Sequence, residues 1–446
     1  MIEKPIIMTI AGSDSGGGAG IGADLKTFAA FGAHGTCAIT SVTAQNSTGV
    51  KASFNMSPAA VASQIEAICT DMDVRWAKTG MLAGPEIVRE VAKQVRKYEL
   101  SLVIDPVMAA EAGGELLRKE GLQGLREELL PLCKVTTPNA AEAGILAGLP
   151  VKTREDAKKA ARKIADLGVE AVIVTGGHLD ASDLLYEAAP DRFTVISGEF
   201  VEGGTHGTGC TYSSALTACL ARGLSFKEAA GEAKRFVVEA IRHSMPVGRG
   251  VSPVNPLGAA LERESRYKVL KDTRKALDFL EASPMFAELI PEGGSNIGMA
   301  ISGAGAYEDV AAVEGRIVRY RGRARSVGCV EFGASRYVAG IILTALRYDP
   351  CIRAAVNIKF SEEVISACTG LDLSVFSFDR ADEPEAGSMD WGIPEAIKVY
   401  GRVPDIIYDR GGLGKEPLVR VLGPSAMEVA KTVLRLAERV EATSFP

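Results

Sequence analysis

From Ile6 to about Pro256, short apolar runs alternate with amphipathic stretches of helical period. Pro5–Ile10 is apolar and ends in AGSDSGGGAG, Ala23–Phe31 is helical in pattern, Cys37–Thr43 is strand-like and Ala60–Thr70 is helical. Leu102–Val107 ends in DPVM, Val135–Thr137 leads into TPNAAEAGIL, and Ala171–Thr175 ends in GGH. This alternation predicts an α/β fold, with a mostly parallel sheet and helices on both faces. The Gly-rich and polar clusters fall at the C-terminal ends of the strands, where open α/β sheets bind ligands. After GRGVSPVNP the character changes. Leu261–Ala282 is charged, helix-patterned and free of Gly and Pro, and suits a connector or the first helix of a second domain. A second, smaller α/β pattern follows from about Pro284, with strands expected at Arg316–Tyr320, Ala354–Ile358, Leu373–Phe378 and Asp405–Tyr408. The expected division is therefore a first domain over 1–258, a helical connector over 259–275 and a second domain over 276–446.

Composition narrows the function class. A length of 446 residues suits two to three domains. The 50 Lys+Arg against 56 Asp+Glu give a net charge of -6. That balance weighs against general nucleic-acid binding and against a polybasic membrane patch. No apolar run approaches the roughly 18 residues of a membrane span. The start, MIEKPIIMTIAGSD, enters a strand directly with no signal-type apolar region, so a cytoplasmic protein is expected. The eight cysteines form no CxxC, and no histidine follows His243.

Four segments of the first half suggest phosphate transfer. AGSDSGGGAGIGADLKTF joins a strand to a helix through several glycines, which allow close backbone approach to a ligand. It is neither a GxxxxGK[ST] loop nor GxGxxG, and a plain tight turn remains an alternative. GGTHGTGCT places Gly207, Thr208 and Gly209 at a helix start, where open N–H groups and the dipole favour anions. Cys210 follows at once. A helix N-terminus lowers a thiol's pKa, so Cys210 is expected near neutrality, as a base on a substrate hydroxyl. The alternative is a small buried residue. Asp105 in DPVM, with Asn139 and Glu142 in TPNAAEA, supplies oxygen ligands for Mg²⁺ beside a triphosphate, or Asn139 and Glu142 simply cap a helix. VTGGH adds a Gly pair, and its His178 is given no catalytic role.

In this order, AGSDSGGGAGIGADLKTF, TAQNSTGV, KTGML, DPVM, TPNAAEA, VTGGH, THGTGC and PVNP resemble the ribokinase superfamily, specifically hydroxymethylpyrimidine/phosphomethylpyrimidine kinase, from Met8 to about Pro256. The resemblance implies a ribokinase-like fold, ATP as co-substrate with Mg²⁺, and Cys210 in place of the aspartate base of most relatives. It implies that Gly12, Asp24, Gln45, Met81 and Val107 line a pyrimidine pocket, and an amide at Gln45 suits an aminopyrimidine edge. It implies that Asp105 and Glu142 act through Mg²⁺, and that Asn139, Thr175, Thr205, Gly207, Thr208 and Gly209 hold nucleotide phosphates. Thr175 stands where the family often has Lys, and Arg249 precedes PVNP where Lys or His is expected. The implied chemistry is two successive phosphorylations at one site, and the implied assembly a homo-oligomer.

The second half has other features. Arg319, Arg321, Arg323 and Arg325 alternate, which on one strand gives a basic face for a diphosphate or a solvated edge. Gly411, Gly412 and Gly414 before Lys415 suit an anion loop or an ordinary turn. Asp379, Asp382, Glu383 and Glu385 suit a metal or a solvated face. GSNI, GRI, FGAS, the Asp-Arg…Glu-Pro run and GGLGKEP together resemble an archaeal-type thiamin-phosphate synthase domain over about Ala276 to Arg439. The resemblance implies that hydroxymethylpyrimidine diphosphate is joined to thiazole phosphate with release of pyrophosphate. Arg316 in GRI is the implied catalytic arginine, with Asn296, Tyr337 and Lys415 as substrate contacts. Tyr337 is a departure, because a histidine is expected after FGASR. A histidine can supply charge or a proton to departing pyrophosphate, whereas a tyrosine is uncharged near pH 7. Three readings follow: a bifunctional kinase and synthase, a kinase with a thiamin-phosphate-sensing module, and a related kinase acting on pyridoxal-type alcohols.

Overall fold

The computed structural model describes residues 4–108, 119–176, 180–379 and 389–444. The chain forms two compact units, Met1–Leu261 and Glu262–Pro446. His178, Asp382, Glu383 and Glu385 lie outside the described residues.

The strands of the first unit are β1 Ile6–Asp14, β2 His34–Asn46, β3 Gly49–Asn55, β4 Trp76–Thr79, β5 Ser101–Ile104, β6 Cys133–Thr136, β7 Ala171–Val174, β8 Asp183–Glu187 and β9 Arg192–Ile196. Its helices are α1 Gly20–Ala30, α2 Pro58–Cys69, α3 Pro85–Lys97, α4 Lys119–Gly124, α5 Ala140–Ala147, α6 Arg154–Ala165, α7 Thr208–Ala221 and α8 Phe226–Arg242. The strands form one sheet in the order β3-β2-β1-β4-β5-β6-β7-β8-β9. β2, β1, β4, β5, β6 and β7 run parallel, while β3, β8 and β9 add antiparallel edges. The central strands are apolar on both faces. In β5, Leu102 and Ile104 enter one core cluster and Val103 the other. This is the pattern of a parallel sheet covered on both sides.

The sheet positions the site through its strand ends. Asp14 ends β1, Gly80 and Met81 follow β4, Asp105 follows β5, Asn139 lies three residues past β6, and Thr175 follows β7. Five parallel strands therefore deliver chemically distinct side chains to one edge.

Helix α9, Gly258–Ala282, crosses the division between the units. Its Val269, Ala276, Leu277 and Leu280 are buried in the core of the second unit. The stretch expected as a connector is thus mostly an element of that core from Glu262 onward. The second unit continues with α10 Pro284–Glu288, β10 Ile297–Ala300, β11 Val310–Val313, β12 Ile317–Tyr320, β13 Arg323–Ser326, β14 Val330–Phe332, α11 Arg336–Leu346, β15 Ala354–Lys359, α12 Glu362–Thr369, β16 Val375–Phe378, α13 Met389–Tyr400, β17 Ile406–Asp409, β18 Leu418–Gly423 and α14 Ala426–Ser444. Its main sheet has the order β14-β11-β10-β15-β18-β17-β16 and is antiparallel except between β16 and β17.

β12 and β13 form a separate hairpin. Arg321 and Gly322 turn it with φ of 52° and 77°, the left-handed pair of a tight two-residue hairpin loop. The expectation of one basic strand face is therefore corrected. Arg319 pairs opposite Ala324 and reaches Glu288 at 2.8 Å. Arg323 and Arg325 belong to the return strand and its opposite face, because the turn interrupts the alternation.

Candidate functional site

Cys210 is the third residue of α7, after Gly207, which caps the helix at φ 88°. No Cβ fits at Gly207: it would stand 1.9 Å from the Gly18 carbonyl oxygen. The two glycine-rich segments thus meet backbone to backbone. Consequently Cys210 lies at two helix starts, because the N–H of Gly20, the first residue of α1, donates to its sulfur. Below it is a buried charge cluster absent from the sequence expectations. Lys78 Nζ is 2.9 and 3.1 Å from the two oxygens of Asp24 and 4.0 Å from Asp105 Oδ2. Thr9 and Ser214 also donate to Asp24, at 2.6 and 2.7 Å. Ser213 donates to Asp105 Oδ2 at 3.0 Å.

This cluster corrects the expected acidity of Cys210. Burial pushes the thiol up to about 12; Lys78 and the Gly20 N–H lower it, while the charges of Asp24 and Asp105 raise it. Two helix starts do not outweigh desolvation, so the resting group is a thiol. For Lys78, burial works against the charge, but the carboxylates of Asp24 first and then Asp105 overcome it and hold the ammonium above its ordinary value. Asp24, expected in the pyrimidine pocket, is fully buried, and both oxygens are taken by Lys78, Thr9 and Ser214. It anchors the cluster from within.

Asn139 and Glu142 form a complete capping box on α5: the Glu142 N–H donates to Asn139 Oδ1 at 3.0 Å and the Asn139 N–H to Glu142 Oε2 at 2.9 Å. The capping alternative is thus realised, and it aims Glu142 inward. Burial first, then the charge of Asp105, raises Glu142 to about 8, although N–H groups of Asn139 and Met108 oppose the shift. Burial likewise raises Asp105, against the pull of Lys78. Two carboxyls that each resist ionisation fit a cation between them. Among the described residues no group of three or more His, Cys, Asp or Glu gathers for a metal. Other ligands there would be water and phosphate oxygens. Thr175 is bridged to Asn139, its N–H donating to the Pro138 carbonyl at 2.9 Å. Thr205 accepts the Thr208 N–H at 3.1 Å, and the Gly209 and Cys210 amides lie in the open first turn.

The first glycine-rich loop differs from expectation. Its amides close on an internal anion: Gly16 donates to Asp14 Oδ1 at 2.7 Å, and Gly18 and Ala19 to Oδ2 at 3.1 and 2.9 Å. His206 Nε2 is 2.9 Å from the same Oδ2. Burial opposes ionisation of Asp14, but His206 and the loop amides prevail and hold its pKa below the ordinary value. The Gln45 amide lies 3.4 Å from His206 Nε2 and 3.2 Å from Thr43 Oγ1. A Cβ on Gly12 would be 3.1 Å from Met81 Sδ, so these expected pocket residues touch. Val107, partly exposed, follows Asp105 in a turn closed by its N–H at 2.9 Å.

In the second unit, Arg316 is exposed and donates to the Gly293 carbonyl. Glu416 accepts the Glu292 and Gly293 N–H groups at 2.6 and 2.9 Å, so PEGGSN, GRI and GGLGKEP are drawn together. Lys415 lies exposed on a tight turn in which Gly412 and Lys415 exchange backbone bonds of 2.9 Å, and the Gly411 N–H goes to Asp409 at 2.8 Å. These amides are therefore occupied, and an anion here would meet side chains. Asn296 is buried, and its amide bonds both polar groups of Val313, at 2.8 and 3.0 Å. It braces β10 against β11. Tyr337 is half-buried, and its hydroxyl accepts from Arg420 Nε at 3.1 Å. Arg420 is itself buried and paired with Asp409 Oδ2 at 2.8 Å.

The sequence reading missed Lys78, Asp14, His206, Ser213, Ser214, Asp409 and Arg420. One signal was available: a lysine inside WAKT, on a strand that is otherwise fully covered, breaks the apolar pattern at a buried position.

The comparisons with known proteins agree with this architecture. The phosphomethylpyrimidine kinase family model matches residues 14–255, and the thiamine-phosphate synthase ThiN model matches residues 272–435. A bifunctional thiamine biosynthesis protein ThiDN of Methanocaldococcus jannaschii is 36% identical over 435 residues, 96% of this chain and 97% of that protein. A hydroxymethylpyrimidine/phosphomethylpyrimidine kinase of Synechococcus elongatus is 43% identical over 255 residues, 56% of this chain and 96% of that protein. Among solved structures, an ADP complex of Bacillus subtilis pyridoxal kinase has a TM-score of 0.54 at 39% identity, covering 58% of this chain and all of that one. Staphylococcus aureus pyridoxal kinase with ADP also gives 0.54, at 34% identity, covering 58% and 95%. No described helix is long and apolar enough to cross a membrane. The chain belongs to the bifunctional thiamine biosynthesis family, in which a phosphomethylpyrimidine kinase unit is followed by a thiamine-phosphate synthase unit of the ThiN type.

Proposed function

We propose that the first unit phosphorylates hydroxymethylpyrimidine with ATP to its monophosphate and then its diphosphate, and that the second joins the diphosphate to thiazole phosphate, releasing pyrophosphate. The observation that carries the kinase reading is Cys210 in the open first turn of α7, above Lys78, Asp24 and Asp105. Gly12, Gln45, Met81 and Val107 line the pyrimidine pocket. Asn139, Thr175, Thr205, Gly207, Thr208 and Gly209 hold nucleotide phosphates through hydroxyl, amide and backbone donors. Asp105 and Glu142 hold Mg²⁺, which when bound offsets phosphate charge. Phosphoryl transfer asks the protein mainly for positioning and charge stabilisation. A thiol near 12 meets that demand by orienting the substrate alcohol through a hydrogen bond, while only its thiolate form takes the alcohol proton as the new O–P bond forms and the bond from the γ-phosphorus to the departing ADP oxygen breaks.

In the second unit, Arg316 and Lys415 meet the diphosphate and Tyr337 donates toward the departing pyrophosphate. The protein works in the cytoplasm as a homo-oligomer. Tyr337 also favours a second reading, in which this unit binds thiamin phosphate without making it and regulates the kinase.

Purified chain with hydroxymethylpyrimidine diphosphate, thiazole phosphate and Mg²⁺, without ATP, separates the two. Thiamin phosphate is followed as fluorescent thiochrome. Steady turnover establishes the synthase, whereas tight binding of thiamin phosphate without turnover establishes the sensor. For the kinase, Cys210→Ala should lower kcat about 10²- to 10⁴-fold with the KM for ATP little changed. An unchanged kcat removes Cys210 from the chemistry.

A further inference from the structure

The loops that rim the kinase site carry few cations. Over 12–18, 43–48, 78–84, 105–108, 137–142, 175–176, 203–210 and 245–254, the Lys, Arg and His residues are Lys78, His206 and Arg249. Lys78 is fully buried against Asp24, and His206 Nε2 lies 2.9 Å from Asp14 Oδ2. Two cations from neighbouring helices are committed as well: Lys26 Nζ donates to the Gly17 carbonyl at 2.9 Å, and Lys234 Nζ to Asp183 Oδ1 at 2.8 Å. Arg249 differs. It is exposed, and its guanidinium bonds none of the described residues. Its backbone, by contrast, is fixed. The Ser47 hydroxyl accepts the N–H groups of Arg249 and Gly250 at 3.2 and 3.1 Å, and the Ser47 carbonyl accepts the Val251 N–H at 3.1 Å. No Cβ fits at Gly250, where it would stand 1.9 Å from the Ser47 carbonyl oxygen. Just beyond, the His206 N–H donates to the Ser252 carbonyl at 3.2 Å, and the Val254 N–H to the His206 carbonyl at 3.1 Å. Ser47 is two residues past Gln45, and His206 adjoins Gly207. Segment 249–254 therefore bridges the wall of the pyrimidine pocket and the phosphate loop.

We propose that Arg249 binds the phosphate of the monophosphate in the second phosphorylation, and so sets how well the site accepts that substrate relative to the alcohol. The proposal rests on the kinase reading above. The two steps differ in charge. The first brings a neutral alcohol to the site, and the second a monophosphate of about −1.5 to −2 charge near pH 7. In the second step an oxygen of that phosphate forms the new bond to the γ-phosphorus of ATP as the bond from the γ-phosphorus to the ADP oxygen breaks. The substrate phosphate must then stand between the ring and the γ-phosphate, which is the interval that segment 249–254 spans. Two phosphate groups brought together away from bulk water need a countercharge. A guanidinium fork matches phosphate oxygens in pairs, and its charge does not depend on pH. Arg249 is the rim cation that no protein carboxylate or carbonyl already occupies. Ser47 holds its backbone in place, so only the side chain has to be ordered when the phosphate arrives.

The test uses the full chain at saturating ATP and Mg²⁺. Initial rates of ADP release give kcat/KM for hydroxymethylpyrimidine and, separately, for its monophosphate. In Arg249→Gln the ratio of the monophosphate value to the alcohol value should fall about 10- to 100-fold, chiefly through a higher KM for the monophosphate. Arg249→Lys keeps a charge without the fork and should lose less than Arg249→Gln. Added salt should lower the monophosphate value more steeply in the wild type than in Arg249→Gln, because the attraction it screens is gone from the variant. A ratio that stays within about twofold of the wild type in Arg249→Gln, including equal losses in both steps, overturns the proposal. Equal falls of the ratio in the Lys and Gln variants overturn it too, because charge would then not be the cause. A wild type that phosphorylates neither compound overturns the kinase reading and this proposal with it. A wild type that phosphorylates both, with a ratio unmoved by Arg249→Gln, overturns this proposal alone.

Discussion

Replacing Lys78 by Met tests whether the charge cluster beneath Cys210 is held by its one cation. Asp24 and Lys78 are fully buried. In the variant the Asp24 carboxylate keeps the hydroxyls of Thr9 and Ser214 but loses a charge at 2.9 and 3.1 Å. Breaking a buried pair from one side costs about 3–5 kcal/mol. The expected loss at pH 7 is therefore about 3–5 kcal/mol. Urea unfolding measures it. The readout is the fluorescence of Trp76, on the same strand, in a Trp391→Phe background that silences the other tryptophan. A loss below about 1 kcal/mol at pH 7 would refute the argument.

Alkylation of Cys210 by iodoacetamide, followed by mass spectrometry of its peptide, should keep rising through pH 9 and 10, because burial sets the thiol near 12; a plateau near neutral pH would restore the low-pKa thiolate. Glu142, raised to about 8, favours the folded state fully below its ordinary value of 4.5 and loses that contribution as pH rises through 8. Glu142→Gln keeps the capping acceptor and should stabilise the ligand-free first unit at pH 8 by about 1–3 kcal/mol with little effect at pH 5; equal unfolding midpoints at pH 8 speak against it. Asn296→Ala leaves the Val313 N–H and carbonyl without their partners and should cost the second unit about 2–4 kcal/mol in thermal or urea unfolding; a loss confined to ligand affinity would return Asn296 to the binding surface.

Much of the frame was legible from period alone. β1, β2, β5, β6 and β7 were expected within a few residues, because central parallel strands are apolar runs bounded by turn signals. Less visible were β3 and β9, edge strands whose mixed faces carry no continuous run, the short β8 between β7 and β9, and β13, which a tight turn separates from β12. Motif residues marked the correct sheet edge, but not where each side chain points. Asp24 and Asn296 turn inward, and the loop amides around Asp14 close on an internal carboxylate, because tertiary hydrogen bonds decide direction and sequence spacing does not. The acidity of Cys210 failed for a related reason: a helix start is local and readable, whereas desolvation depends on everything packed around the sulfur.

The second unit bears on how pyrophosphate can leave without a histidine. Tyr337 accepts from Arg420 Nε, so its own proton cannot point back at the guanidinium and is available to another acceptor. Arg420 polarises that hydroxyl from beneath, and the Phe378 ring 5.5 Å from its guanidinium keeps the contact in a dry setting. The added charge is limited, however, because Asp409 neutralises Arg420 at 2.8 Å. Tyr337 can therefore offer a hydrogen bond where a protonated histidine would offer a hydrogen bond and a charge. On the proposed assignment a diphosphate draws its countercharge from Arg316 and Lys415. Arg316 shares a guanidinium N–H with the Gly293 carbonyl, on a loop whose amides Glu416 fixes. Glu416 adjoins Lys415 in sequence, so the segment that carries one cation also anchors the loop that orients the other. On that assignment, loss of the Glu416 carboxylate weakens both cations at once, so diphosphate binding should depend on the GKEP turn more than on Tyr337.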